Sequence, residues 1–290
     1  MSVAPGLPTT ADLCDPRNLH AVARAVGLVA RHRLGQNFLV DRQVLDDIVA
    51  ALAPTAGDDV LEVGPGVGTL TAELASRARR VVAVDIDERC VEATRSTQRG
   101  HPNVEVIQGD ALHVDLGALG LHAGWMATGN IPYSITTPLL TRLFEMAQPP
   151  RRGVFMVQRE VAARLAATSG NWSLATVAVR SVASVERLRD VSPASFDPTP
   201  GVHSSVIRLH PAAVLSREDR SAILDLARAA FQMRRKMLRH GITHAAGGDE
   251  RVGLAWLAAA EIDPTRRPGT LDLDEWRRIA IAARTLDTEP

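Results

Sequence analysis

Cysteine, aromatic residues and lysine are scarce in this chain, and each scarcity closes off a class of protein. Cys14 and Cys90 are the only cysteines in 290 residues and share no metal-ligand spacing. That argues against a disulfide framework or a zinc site, predicts no metal, and suits a reducing compartment. No apolar run approaches the roughly 20 residues that cross a bilayer. The N-terminus lacks the charged-then-apolar layout of a secretory signal, so a cytoplasmic location is expected. Residues 20–33 are arginine-rich and read as a docking helix rather than a transit segment. Charge of one sign is lacking too: 33 basic and 33 acidic residues give a net charge of +0. This excludes broad nonspecific adhesion to nucleic acid but leaves room for a local basic face. Lys236 is the only lysine; the other basic residues are arginines, which suit bidentate phosphate contacts. Aromatics make up 3%, so Tyr133 and Phe196, outside obvious core positions, call for an explanation.

What is present is an ordinary globular composition, 46% hydrophobic and 23% charged, which fits one large or two unequal domains. Residues 1–18 mix Pro, Gly, Thr and Asp and read as a loose, flexible arm. His20–Ala30 and Asp41–Leu52 read as helices, the second capped by Asp41 and stopped at Pro54. Strands and helices then alternate. Strands are expected at Val60–Val63, Val81–Asp85, Val104–Ile107, Trp125–Thr128 and Val154–Val157. Helices are expected at Thr69–Arg77, Glu88–Thr97 and Pro138–Ala147. The strand runs are apolar without alternation, as in a parallel sheet covered on both faces. Val185–Val191 and Val206–Leu209 should finish the sheet as antiparallel strands. After Pro211 the pattern is helical only: Arg217–Phe231, Arg234–His240, Arg251–Ala260 and Leu273–Thr285. The expected organisation is therefore α/β, a Rossmann-like sheet domain over 19–210 with a small all-helical C-terminal domain over 211–290.

Gly64-Pro65-Gly66-Val67-Gly68 joins a strand to a helix, where glycines let backbone approach a ligand and the helix N-terminus offers free N–H groups. NAD, FAD and S-adenosylmethionine sites all use such turns. Here the G-x-G-x-G spacing, with Glu62 just ahead in the strand, favours S-adenosylmethionine. Asp85 ends the next strand, where a carboxylate accepts ribose hydroxyls; it could otherwise cap the following helix, a job Asp87 could do instead. Asp110 ends the third strand as an acceptor for the cofactor's adenine amine, or as a plain turn aspartate.

Asn130-Ile131-Pro132-Tyr133 follows the fourth strand. An exocyclic amine is a poor nucleophile because its lone pair is delocalised into the ring. The Asn130 side-chain oxygen and the Ile131 carbonyl could accept its two N–H bonds, Pro132 fixing that backbone and Tyr133 stacking on a flipped base. Phe196, in a proline-braced turn, is either a core plug or a second stacking face.

These segments together resemble the KsgA family of small-subunit ribosomal RNA adenine N6,N6-dimethyltransferases. The resemblance rests on Leu34-Gly35-Gln36-Asn37-Phe38-Leu39, Glu62–Thr71, the tetrad, Met156–Ala162, Phe196–Val206 and Phe231–Arg239, and it spans nearly the whole chain. It implies a class I methyltransferase fold and S-adenosylmethionine as cofactor. It implies cofactor contacts at Asn37, Leu39, Gly64, Asp85, Asp110 and Asn130, with Gly66 in the same loop. The implied substrate is a pair of adjacent adenines in a 3′-terminal hairpin of small-subunit rRNA, each methylated twice, within a precursor of the small ribosomal subunit. The chain carries Asp85 where the family usually has Glu, Ile131 where Leu is usual, and His240 where Asn commonly follows the basic signature.

Arg228, Arg234, Arg235, Lys236 and Arg239 lie in a stretch, Leu226 to Gly248, that holds no acid. We expect Arg234, Arg235, Lys236 and Arg239 to contact RNA from helical spacing, with Arg31, Arg33, Arg151, Arg152 and Arg159 as further candidates. A monomer is expected. Three other readings compete. One is a large-subunit rRNA methyltransferase of the related Erm type, and another is a ribosome-assembly checkpoint whose binding outweighs its chemistry. The last is a nicotinamide-dependent oxidoreductase, in which the tetrad would have no job.

Overall fold

Non-alternating apolar runs make strands that must be covered on both faces, and the central sheet is built from them. The computed structural model describes residues 12–31, 34–168, 170–212 and 215–287, with Tyr133 and Asp287 described by backbone alone. Five strands run parallel: β2 (Asp59–Val63), β3 (Arg80–Asp85), β4 (Val104–Gln108), β5 (Met126–Asn130) and β6 (Arg152–Gln158). Strand β2 is buried at every position. Val60 registers with Val81 on one side and Met126 on the other.

Helices α2 (Arg42–Leu52), α3 (Thr69–Ala75), α4 (Glu88–Thr97), α5 (Thr136–Phe144) and α6 (Arg159–Leu165) connect or flank these strands. Asp41 caps α2 by accepting from the Gln43 and Val44 N–H groups. Two further strands, β7 (Ala183–Val191) and β9 (Ser204–Pro211), extend the sheet to the order β4-β3-β2-β5-β6-β9-β7. β9 is antiparallel to β6. Ser205 donates to Asp190 and Arg208 to Glu186, so β7 and β9 run in opposite senses. A short pair, β1 (Phe38–Leu39) with β8 (Phe196–Asp197), was not legible in advance. Its strands are too short to show a period.

Several boundaries move. The first helix, α1, spans Pro16–Ala25 rather than His20–Ala30. Asp15 accepts from the Arg17 N–H and Pro16 sits at the first helical position, where its fixed φ is preorganised and its missing N–H costs nothing. The expected loose arm over 1–18 therefore does not hold for its last part, where Leu13 and Cys14 are buried and α1 begins; residues 1–11 lie outside the described residues. α5 begins at Thr136, two residues before the expected Pro138.

The chain divides into two compact units. One comprises residues 1–162 and 186–211, the other residues 163–185 and 212–290. A single boundary near residue 211 was expected, whereas the chain passes between the units three times. The second unit is helical: α7 (Leu174–Arg180), α8 (Arg217–Gln232), α9 (Leu238–Ala245), α10 (Glu250–Ala259) and α11 (Leu273–Asp287). Its core gathers Trp276, Ile223, Leu238 and Ile242 together with Trp172 and Val177 from the earlier segment. Gly241 lets α9 approach α8, since a Cβ there would stand 2.4 Å from the Ala230 Cα. α9 starts at Leu238, not Arg234, so residues 233–237 form a turn.

Candidate active site

The sheet reverses its strand order between β2 and β5, and a cleft opens outside the carboxyl ends of the strands there, where open α/β sheets bind ligands. The cleft encloses about 1260 Å³ with its mouth included. Its wall is made of the Leu34–Leu39 segment, the glycine loop after β2, and the ends of β3, β4 and β5. Asn37, Leu39, Gly64, Gly66, Asp85, Asp110 and Asn130, all the expected cofactor contacts, line it.

The glycine loop explains its own composition. Gly66 sits at φ +62, and a Cβ on it would come within 2.9 Å of the Phe38 ring. A side chain there would be strained and would push the Leu34–Leu39 segment off the loop. The Gly66 N–H points to Asp85 at 3.4 Å, and the Asp87 N–H donates to the other Asp85 oxygen at 2.9 Å. Capping of α4 falls to Asp87, which accepts from the Arg89 N–H, and this leaves Asp85 to face the cleft. Burial pushes the Asp85 carboxyl up to about 6, against the pull of these two backbone N–H groups. Asp110 is both a turn residue and part of the wall. It accepts from the Leu112 N–H at 2.8 Å and its second oxygen meets His113 Nδ1 at 2.8 Å. The Leu112 N–H, foremost, holds its carboxyl below the usual range.

At the β5 end, Asn130 Nδ2 donates to the Asn37 carbonyl at 2.9 Å. With the amide nitrogen committed there, the side-chain oxygen is the half that remains to accept. The Ile131 N–H donates to the Met156 carbonyl, and Pro132 stands at φ −55 before the turn Tyr133–Ile135. The Ile131 side chain is fully buried, so the Leu-to-Ile difference from the family pattern is a core substitution and does not reach the cleft wall. Tyr133 lies in that turn by its backbone; its side chain is outside the described residues.

Phe196 requires a correction. It is 4% exposed, pairs with Leu39 across β1 and β8, and packs in the core with Val44, Met156 and Val206. It is the core plug, not a stacking face, and does not line the cleft.

Two wall residues were not among the expected contacts, although Glu62 had already marked the loop as a site for S-adenosylmethionine. Glu62 is 1% exposed, its Oε2 has no hydrogen-bond partner, and it lines the cleft. Burial pushes its carboxyl up to about 7; the nearby Thr71 hydroxyl opposes this and the Asp85 charge adds to it. A lone acid inside an apolar strand, one residue before Val63 and the glycines, was the signal. Ile86 also lines the wall and is 54% exposed, an apolar side chain left open beside Asp85. A carboxylate at the β3 end, an orphaned buried acid under the glycine loop and an apolar rim fit a cofactor with ribose hydroxyls, a cationic end and a flat base. Among the described residues no group of three or more His, Cys, Asp or Glu could hold a metal ion.

In the helical unit, Arg234, Arg235 and Lys236 are exposed and Arg239 is half-buried. The expected helical spacing is wrong for the first three, which project from the turn before α9. Arg228 is ion-paired with Asp225 at 2.7 Å. Elsewhere Arg151 is paired with Asp58 and the Gly124 carbonyl, and Arg152 donates to the Leu52 carbonyl. Arg159 is exposed, Arg31 is half-exposed, and Arg33 lies outside the described residues.

Comparison with known proteins agrees with this geometry. The family model for ribosomal RNA adenine dimethylase matches residues 27–280. The chain is 39% identical to ribosomal RNA small subunit methyltransferase A of Geobacter metallireducens, covering 91% of this chain and 98% of that one. It is 36% identical to the protein of the same name in Leuconostoc mesenteroides, covering 95% and 97%. Among solved structures, a dimethyladenosine transferase from Plasmodium falciparum superposes with a TM-score of 0.70 at 25% identity, over 86% of this chain and 98% of that one. The 23S rRNA methyltransferase ErmE superposes at 0.67 with 27% identity, over 86% and 100%.

Proposed function

This chain belongs to the ribosomal RNA adenine dimethylase family and is an S-adenosylmethionine-dependent methyltransferase; on that premise we propose that its substrate is small-subunit rRNA. The reaction is methylation of the N6 amines of two adjacent adenosines in the 3′-terminal hairpin, to N6,N6-dimethyladenosine, during assembly of the subunit. It acts in the cytoplasm as a monomer. The curated relatives quoted above carry the small-subunit name, and they cover nearly the full length of this chain.

The cofactor supplies a methyl group on a sulfonium, open to in-line attack. The chain supplies its binding and the grip on the target. Asp85 accepts ribose hydroxyls, Asp110 takes the adenine edge, Ile86 offers an apolar surface, and the Gly64–Gly66 backbone lies close to the ligand. Asn130 carries the proposal. Its nitrogen is held by the Asn37 carbonyl, so its oxygen accepts one N–H of the target amine while the Ile131 carbonyl accepts the other. Two acceptors localise the lone pair on the nitrogen, and Tyr133 holds the base flat. Catalysis is then mostly positioning. Arg234, Arg235, Lys236 and Arg239 contact phosphates.

Incubating the protein with labelled donor and separated ribosomal subunits, then mapping the modified nucleotides, tests this. Label on paired adenines of the small-subunit rRNA is expected. Label confined to the large subunit would make the enzyme Erm-like, and label on neither would overturn the substrate.

A further inference from the structure

The wall segment Leu34–Leu39 meets the glycine loop through Phe38 and the β5 end through Gly35 and Asn37; β1 pairing holds its far end, and Gln36 fastens its start to α4. Its Oε1 accepts the Arg31 N–H at 2.8 Å and its Nε2 donates to an Asp87 carboxylate oxygen at 2.9 Å, with Cys90 Sγ at 3.4 Å. Asp87, whose side chain is 3% exposed, caps α4 with its other oxygen and donates its own N–H to Asp85. One residue further along, the Asn37 carbonyl holds the amide nitrogen of Asn130. A single carboxamide therefore stands between the carboxylate that faces the cofactor and the amide that faces the substrate. The other tie to Asp87 is weaker: the Arg31 guanidinium is 3.8 Å away and half exposed.

We propose that Gln36 is a positioning residue, the latch that holds the Leu34–Leu39 segment against Asp87 and so sets both the Asp85 side of the cofactor site and the orientation of Asn130. Its carboxamide is needed because it accepts and donates at once while adding no charge. A carboxylate of the same shape would keep the Arg31 contact but face Asp87 with a like charge in a buried setting, where repulsion is strong. The proposal rests on the methyltransferase reading of the cleft.

The test uses the full chain in four forms: unmodified, Gln36→Ala, Gln36→Glu, and Gln36→Glu combined with Asp87→Asn. In the last, an amide donor again faces a carboxylate with the roles exchanged, and Asn still caps a helix. Binding of S-adenosylhomocysteine is measured by calorimetry, kcat and the KM for S-adenosylmethionine by turnover on small subunits, and thermal unfolding alongside. Gln36→Ala should weaken S-adenosylhomocysteine about tenfold, the lower end of what a hydrogen bond to a charged group contributes. Gln36→Glu should lose more, raising KM and lowering kcat together, since both ends of the cleft depend on the latch. The double substitution should recover most of that loss. Unchanged binding in Gln36→Glu would overturn the latch. A loss that Asp87→Asn does not repair would also overturn it, by showing that Gln36 acts through something other than Asp87. Failure of the unmodified protein to bind S-adenosylhomocysteine would instead sink the underlying reading.

Discussion

Asn130 lines the cleft with its nitrogen held by the Asn37 carbonyl, so removing the amide deletes the proposed acceptor together with the tie to Asn37, while Asp85, Asp110 and the glycine loop stay in place. Asn130→Ala should leave S-adenosylhomocysteine affinity within about threefold and lower kcat by on the order of 10²-fold, the scale seen on losing one transition-state hydrogen-bond partner. Single-turnover rates with small subunits check this, and near-normal turnover would remove Asn130 from its role. Phe196 should behave in the opposite way. Buried among Leu39, Val44 and Met156, it should cost about 3–5 kcal/mol of stability as Phe196→Ala, read from urea unfolding. A variant of full stability with a selective loss of kcat would return it to the substrate. The difference between the two shows what a sequence discloses at this scale. Asn130 follows a strand and precedes Pro132, a local arrangement with few uses. Phe196 sits in a proline-rich turn whose local pattern is the same whether the ring points in or out, and only its pairing with Leu39, far away in the chain, decides.

Strand β2 carries a buried acid one residue before its end and β3 ends in one, and this gives the pair of elements a pH signature. Glu62 moves from 4.5 to about 7 and Asp85 from 3.8 to about 6, burial being the main cause in both. Between about pH 4 and pH 7 the unfolded chain has released protons that the folded chain still holds, so stability falls as pH rises across that window. At lower pH both states are protonated and the effect vanishes. Thermal unfolding from pH 4.5 to 8 should show a decline worth on the order of 5 kcal/mol from this source. Glu62→Gln should flatten much of it, and an unaltered profile would refute the assignment. The strands themselves were legible because apolar runs without alternation have few alternatives in an α/β sequence. The start of α9 was not. Arg234-Arg235-Lys236 has good helical propensity, yet the chain turns there. The Leu238 and Arg239 N–H groups donate to the carbonyls of Arg266 and Pro264, a tertiary contact that sequence periodicity does not register.

Over the whole molecule, a net charge of +0 conceals an uneven use of arginine. Within the helical unit, Arg228, Arg266 and Arg284 are ion-paired with Asp225, Glu275 and Asp219, whereas Arg234, Arg235 and Lys236 project from an exposed turn. Replacing those three with alanine should weaken binding to small subunits and make the log–log salt dependence shallower by roughly 2 to 3, one released counterion per phosphate contact. S-adenosylhomocysteine affinity should not change. Filter binding across a salt series checks both, and an unaltered slope would move the RNA contact elsewhere. The sequence placed the change from alternating to purely helical pattern near residue 211, but it could not reveal that residues 163–185 belong with the helices. Membership of a unit is decided by packing, and the α7 segment carries no mark of its own.

That recruitment has a consequence for how such a protein can be recombined. Trp172 and Val177 sit in the same core as Ile223, Leu238 and Trp276, so the helical portion is not a bead that one crossover could trade between relatives. Grafting another family member's C-terminal helices after residue 211 would pair foreign helices with a native α7 whose apolar face was shaped for different neighbours. A working chimaera must exchange two separate stretches of chain together, residues 163–185 along with those after 211.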